Sequence, residues 1–253
     1  MLRHFTLSFK IHELYFFLKI HPCFDSELKE QRLLEKQGGC TVVFMQKSYK
    51  SIQIFKNPLL ERFTHVHPLT PFVLWFPLVG WLLWRSLSLH QLSIIEVGSL
   101  GLIALLLWTL VEYLLHRFVF HYEGKTSLVQ KLHFLIHGLH HADPIDPTRL
   151  VMPPAASIIL AVIFYTVFRS ILGSVLVEPF FSFFVLGYLC YDYIHFAVHH
   201  FSPRTFIGRF LKQSHMQHHY VSPHSRWGVS SPFWDYVFGT LEDGDVKDKE
   251  RTI

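Results

Sequence analysis

Residues 92–121 read LSIIEVGSLGLIALLLWTLVEYLLHRFVFH, a run almost wholly apolar that closes on two histidines, His116 and His121. About 20 apolar residues suffice to cross a hydrocarbon core as a helix, so the stretch from Leu92 to Leu115 predicts a membrane span. Imidazole is the commonest metal ligand. The pair at the end of the span therefore marks a place where metal chemistry would meet the membrane surface.

Three more runs of that kind surround it, at about Pro71 to Leu89, Ala155 to Val177 and Pro179 to Ala197. The gaps after Leu89 and Val177 are only a residue or two long, which folds the four runs into two tight helical hairpins. The predicted fold class is all-α and integral to a membrane, with four transmembrane helices in two hairpins, a cytoplasmic His-rich helical cap holding a di-metal centre, and both termini on one side. Composition agrees. The chain of 253 residues is 50% hydrophobic and 16% aromatic, with 25 Phe, and only 17% charged, against roughly 25% charged in an average soluble domain. A disordered or collagen-like chain is excluded, and an ordinary water-soluble domain is disfavoured.

Charge orients the hairpins. Of 23 Lys and Arg, only Arg85 and Arg169 fall at the short hairpin turns; the rest lie before residue 71, in the loop between the hairpins, or after His200. The positive-inside rule then puts both termini and the central loop in the cytoplasm, with Arg85 and Arg169 free to snorkel at the other interface. The membrane would be the endoplasmic reticulum in a eukaryote and the inner, plasma membrane in a bacterium. A net charge of +4 without a basic stripe argues against nucleic acid as a partner. The three Cys include no Cys-x-x-Cys pair, so neither a disulfide framework nor a thiolate metal site is predicted. Residues 1–50 have mixed charge and no sustained period. They read as an N-terminal leader, disordered or belonging to an over-extended start with Met45 as initiator; residues 51–245 form the main domain and 246–253 a charged tail.

The histidines carry the chemical signal. From residue 116 onward, ten fall into four groups: His116 and His121; His137, His140 and His141; His195 and His199; His215, His218 and His219. Each group sits at or beyond the cytoplasmic end of a span. Residues three and four apart on a helix share a face, so each His-x2-His-His can offer its imidazoles to one or two metals and the His-x3-His pair can hold one. The His116 and His121 pair is less regular, about 140° apart on a straight helix, which predicts a helix end or a kink between them. One tetrahedral zinc site would use four ligands, whereas ten suffice for two metals with five ligands each. Ligand type alone does not choose among zinc, copper, iron and nickel. Glu112 and Asp192, each about a turn before a histidine, are placed to accept a ligand's second ring N–H, or simply to sit as charges at the interface; His133, His200 and His224 flank the clusters.

These motifs carry a resemblance. His116-Arg117-Phe118-x2-His121, His137-Gly138-x-His140-His141, Arg149-Leu150-Val151-x-Pro153-Pro154, Tyr191-Asp192-x2-His195-x3-His199, His215-x2-His218-His219 and Trp234-Asp235-Tyr236-x-Phe238 make the chain from about Ser51 to Leu241 similar to the fatty acid hydroxylase and sterol desaturase superfamily. Within it, the arginine-to-double-proline segment resembles that of fatty acid 2-hydroxylases. The resemblance implies one metal on His116, His121, His137, His141 and His218 and a second on His140, His195, His199, His215 and His219. It also implies iron for catalysis, with zinc associated with the same positions, O2 as co-substrate, and hydroxylation at the α carbon of a lipid acyl chain. Many relatives carry a cytochrome b5 domain marked by His-Pro-Gly-Gly. Here His21-Pro22 is followed by Cys23-Phe24, so the electron donor is expected to be a separate protein of cytochrome b5 or ferredoxin type with its reductase.

Other chemistries fit less well. A zinc-dependent membrane hydrolase would typically show His-Glu-x-x-His, which is missing. A bis-His haem protein would place its histidines deep within spans, and a metal transporter needs ligands near the bilayer midplane. Sterol or carotenoid hydroxylation and lipid desaturation are the alternatives within the same metal chemistry.

Overall fold

The computed structural model describes residues 51–242 apart from Glu123; the expected leader (1–50) and charged tail (246–253) lie outside the described residues. Among these residues every regular element is helical. A short α1 (Pro58–Arg62) is capped by Asn57, whose side-chain oxygen accepts the Leu59 N–H at 2.9 Å. Then come α2 (Thr70–Ser88) and α3 (Ile94–Leu115), followed by a π-helical turn, His116–Phe120. Next are α4 (Ser127–His133), a second π turn (Phe134–Gly138) and α5 (Leu139–Ala142). The chain closes with α6 (Pro154–His200), α7 (Phe206–Tyr220) and α8 (Phe233–Phe238).

A short connection, residues 89–93, joins α2 to α3. The second of these helices starts on a capping box: the Ser93 hydroxyl accepts the Glu96 N–H at 3.2 Å, and the Glu96 carboxylate accepts the Ser93 N–H at 2.7 Å, which satisfies two donors that a helix start otherwise leaves open. The second hairpin is hidden inside α6. Phe164 and Phe184 would stand about 30 Å apart on a straight helix, yet their ring centroids are 5.0 Å apart, as are those of Phe168 and Phe180. The reversal is at Gly173, whose φ of 76° and ψ of −177° lie in a region open essentially to glycine alone.

This corrects the expected boundary between the third and fourth runs, placed at Val177 to Pro179. Proline commonly ends a helix, but here the second arm runs on through Pro179. Glu178 is buried instead and pairs with Arg85 at 2.8 Å and His90 at 3.2 Å. So Arg85 ties the two hairpins together at the end opposite the histidines.

Both α2 and α3 pack on α6 more than on each other. Trp108 is the centre of that packing, 5.1 Å from the Phe184 ring and 5.7 Å from Tyr188. Gly187 admits it: a Cβ there would come within 2.6 Å of the Trp108 ring. In lipid such packing rests on close van der Waals contact rather than on apolar burial. Among the described residues two stretches, Ile94–Phe120 and Pro154–His200, are long and apolar enough to cross a membrane; Thr70–Ser88 is not among them. Gly173→Ala should destabilise the protein by roughly 1–3 kcal/mol, read as a lower melting temperature in detergent. Gly80→Ala, on an exposed helical site with open space around it, should not.

Candidate metal centre

The ten clustered histidines meet in two groups. His116, His121, His137, His141 and His218 form one; His140, His195, His199, His215 and His219 form the other, and the ligand atoms within each group lie within 4.8 Å of one another. Local structure explains each approach. In the first π turn the His121 N–H bonds the His116 carbonyl at 3.2 Å, so the irregular five-residue spacing becomes one closed turn and the two rings stand 5.0 Å apart. The second π turn delivers His137 beside them. The last two turns of α6 supply His195 and His199, and α7 presents His215 and His219 to one group and His218 to the other. The groups adjoin: the His141 and His219 rings stack at 4.1 Å.

In every nitrogen-to-nitrogen contact between these rings the facing atoms are Nε2. In the first group His137 Nε2 lies 3.1 Å from that of His116 and 3.0 Å from that of His141, and His121 to His218 is 3.1 Å. In the second, His140 to His195 is 2.9 Å, His140 to His219 3.0 Å, His199 to His215 2.8 Å and His215 to His219 3.1 Å. Nitrogens held at about 2.0–2.1 Å around one ion sit about 2.9–3.4 Å apart, which is this spacing. A nitrogen-only donor set so arranged fits a metal ion in each group.

Imidazoles that ligate a metal must be neutral. Burial, reinforced by neighbouring imidazoles, holds His121 down to about 2 and His141 to about 3. Burial holds His218 to about 4. The same cause keeps His137, His140, His215 and His219 well below the ordinary range.

The predicted carboxylates act at one remove, and neither bonds a histidine. Glu112 accepts the backbone N–H of Val229 at 2.8 Å and of Ser230 at 2.7 Å, and also the Ser230 hydroxyl. Asp192 accepts the Tyr188 hydroxyl at 2.8 Å and the Met152 N–H at 3.3 Å. His133, half-buried on α4, makes no hydrogen bond to either group. The partners of His116 and His218 are backbone carbonyls: Nδ1 of His116 donates to the Trp227 oxygen at 2.5 Å, and Nδ1 of His218 to that of Ser225 at 2.7 Å. A further carboxylate, Asp235, holds this loop by accepting the Trp227 N–H at 2.8 Å and the Gly228 N–H at 2.7 Å. Sequence reasoning gave Asp235 no role; Trp234-Asp235-Tyr236 was the available signal.

The Arg149 to Pro154 segment also has a mechanical part. Arg149, buried, bonds Glu61 at 2.6 Å and Thr64 at 3.0 Å, fixing residues 52–64 to the loop before α6, while Met152 in the same segment reaches Asp192.

Membrane-length apolar helices ending in two adjoining five-histidine groups define a class of membrane metalloprotein. The fatty acid hydroxylase family model matches residues 101–240, and the chain belongs to that family. The dihydroceramide fatty acyl 2-hydroxylase of Arabidopsis thaliana is 37% identical over 179 residues, covering 71% of this chain and 75% of that protein. The fatty acid 2-hydroxylase of Rattus norvegicus is 35% identical over 222 residues, covering 78% of this chain and 59% of the rat protein, so this chain spans less than two thirds of it. A solved structure of full-length Scs7p, with only the hydroxylase domain visible, superposes with a TM-score of 0.72 at 36% identity over 76% of this chain and 73% of that one.

Two outcomes are expected. Purified protein should carry two metal ions per chain by elemental analysis, falling to about one in His116→Ala or His215→Ala. Acid should remove both: a free imidazole titrates near 6.5, so below that value the unfolded chain takes up protons that the folded chain refuses, and stability falls as the pH drops. Thermal melts from pH 7.5 to 5 should show the decline.

Proposed function

We propose that this protein is a membrane-embedded, O2-dependent hydroxylase of lipid acyl chains that introduces a hydroxyl at the α carbon of free or sphingolipid-linked fatty acids. The observation that carries this reading is the convergence of ten Nε2 atoms into two five-nitrogen groups in a chain whose relatives include enzymes named for fatty acyl 2-hydroxylation. His116, His121, His137, His141 and His218 would hold one ion, and His140, His195, His199, His215 and His219 the other. Bound there, iron would supply the O2-activating redox chemistry that attack on an unactivated C–H needs and that side chains lack, whereas zinc in the same ligands would not.

The chain's own residues hold and shield. Seven of the ten imidazoles are buried, and Trp227 packs 4.8 Å from the His121 ring while Phe120 stacks 5.6 Å from His137. Such walls keep water away from reactive species. His121, His141 and His219 stay partly exposed, so the face that carries them is the one a lipid can reach.

In this reading α2, α3 and the two arms of α6 cross the membrane as four spans, and residues 51–245 make up the hydroxylase domain. Outward apolar side chains support it: Val73 is 74% exposed on α2, Leu106 60% on α3 and Val162 60% on α6. Cluster and termini face the cytoplasm, on the side where Lys and Arg concentrate, at the endoplasmic reticulum in a eukaryote. Electrons come from a donor of cytochrome b5 or ferredoxin type with its reductase.

Expression in a host without 2-hydroxy lipids, together with a matched reductase, should yield 2-hydroxy fatty acids by mass spectrometry of hydrolysed lipids. His137→Ala and His219→Ala should each reduce them to background. Metal-loaded protein that gives no 2-hydroxy acid would overturn the substrate assignment.

A further inference from the structure

The two histidine groups are alike in number and nitrogen spacing but not in what stands behind them. In the first, Nδ1 of His116 and of His218 each donates to a backbone carbonyl, of Trp227 and Ser225. In the second, Nδ1 of His140, His215 and His219 is buried and meets no acceptor among the described residues. The carbonyl-bearing loop is itself fastened twice, through Glu112 to Val229 and Ser230 and through Asp235 to Trp227 and Gly228. It is also tightly closed: a Cβ at Gly228 would come within 2.0 Å of the Ser231 carbonyl oxygen, so only glycine fits there.

An acceptor on the second ring nitrogen fixes the tautomer, stops the ring from turning and makes the ligating nitrogen more basic. Losing such a partner typically costs 10- to 100-fold in metal affinity. We propose that the two metal positions are held unequally: the ion of the His116 group is locked by the 225–230 loop, the ion of the His140 group is the exchangeable one, and Asp235 is a positioning residue for the first. The proposal rests on the metal-centre reading above, and its readout is metal retention rather than activity.

The test uses the full-length protein reconstituted with zinc to two ions per chain and exposed to EDTA for increasing times. Anomalous scattering from crystals grown at each stage gives the occupancy of each position directly in the wild type. The expected result is release in two phases, the His140 group emptying about 10- to 100-fold sooner. In Asp235→Asn an amide N–H2 replaces one of the two oxygens that accept the Trp227 and Gly228 N–H groups, so the slow phase should accelerate about tenfold while the fast phase stays unchanged. A general loosening of the fold would move both phases and would remove Asp235 from the role. Simultaneous loss from the two positions, or earlier loss from the His116 group, would overturn the proposal while leaving the metal-centre reading intact. Failure to bind zinc at all would overturn both.

Discussion

Each of ten imidazoles has a ring nitrogen between 2.8 and 3.1 Å from that of a neighbour, and much of the surrounding fold serves to keep them there. Neutral rings at that distance gain little from each other beyond a shared proton, and most are cut off from water. A cation between them turns that crowding into ligation. The fold thus builds an arrangement that is costly for the bare polypeptide and favourable once a metal is bound, and metal binding and folding become one equilibrium.

The scaffold meets this cost from opposite ends. Away from the histidines, the Arg85 to Glu178 pair and the Gly173 reversal fix how the hairpins meet. Near them, Trp108 lies against Gly187 and sets the separation of α3 and α6, whose ends deliver His116, His195 and His199. Carboxylates are then spent on the backbone. Glu112 and Asp235 hold loop amides, and Asp192 joins α6 to the segment that Arg149 anchors, so the histidines inherit their orientation from main-chain atoms.

Much of this was legible in the sequence because its signals are local. The apolar run from Leu92 to Leu115 and the capping residues Ser93 and Glu96 are read from neighbours, and so are the same-face spacings of His215, His218 and His219. What escaped depends on contacts between distant segments. The apolar runs break at Glu178 and the turn was expected there, yet a single glycine five residues earlier provides the φ the reversal needs. Glu112 looked like a partner for His116 because it lies one turn away; its actual partners, Val229 and Ser230, are more than a hundred residues downstream. A backbone carbonyl such as that of Trp227 has no sequence signature at all.

The placement of α7 bears on how the protein is made. It is the last helix to contribute histidines, and it gives two of the five in one group but a single residue, His218, to the other. As the chain emerges during synthesis, four members of the His116 group exist before α7 does, against three of the His140 group. The two groups therefore fill unequally before α7 completes both. A nascent chain halted after α6 would display a nearly finished first nest beside a second that still lacks two of its walls.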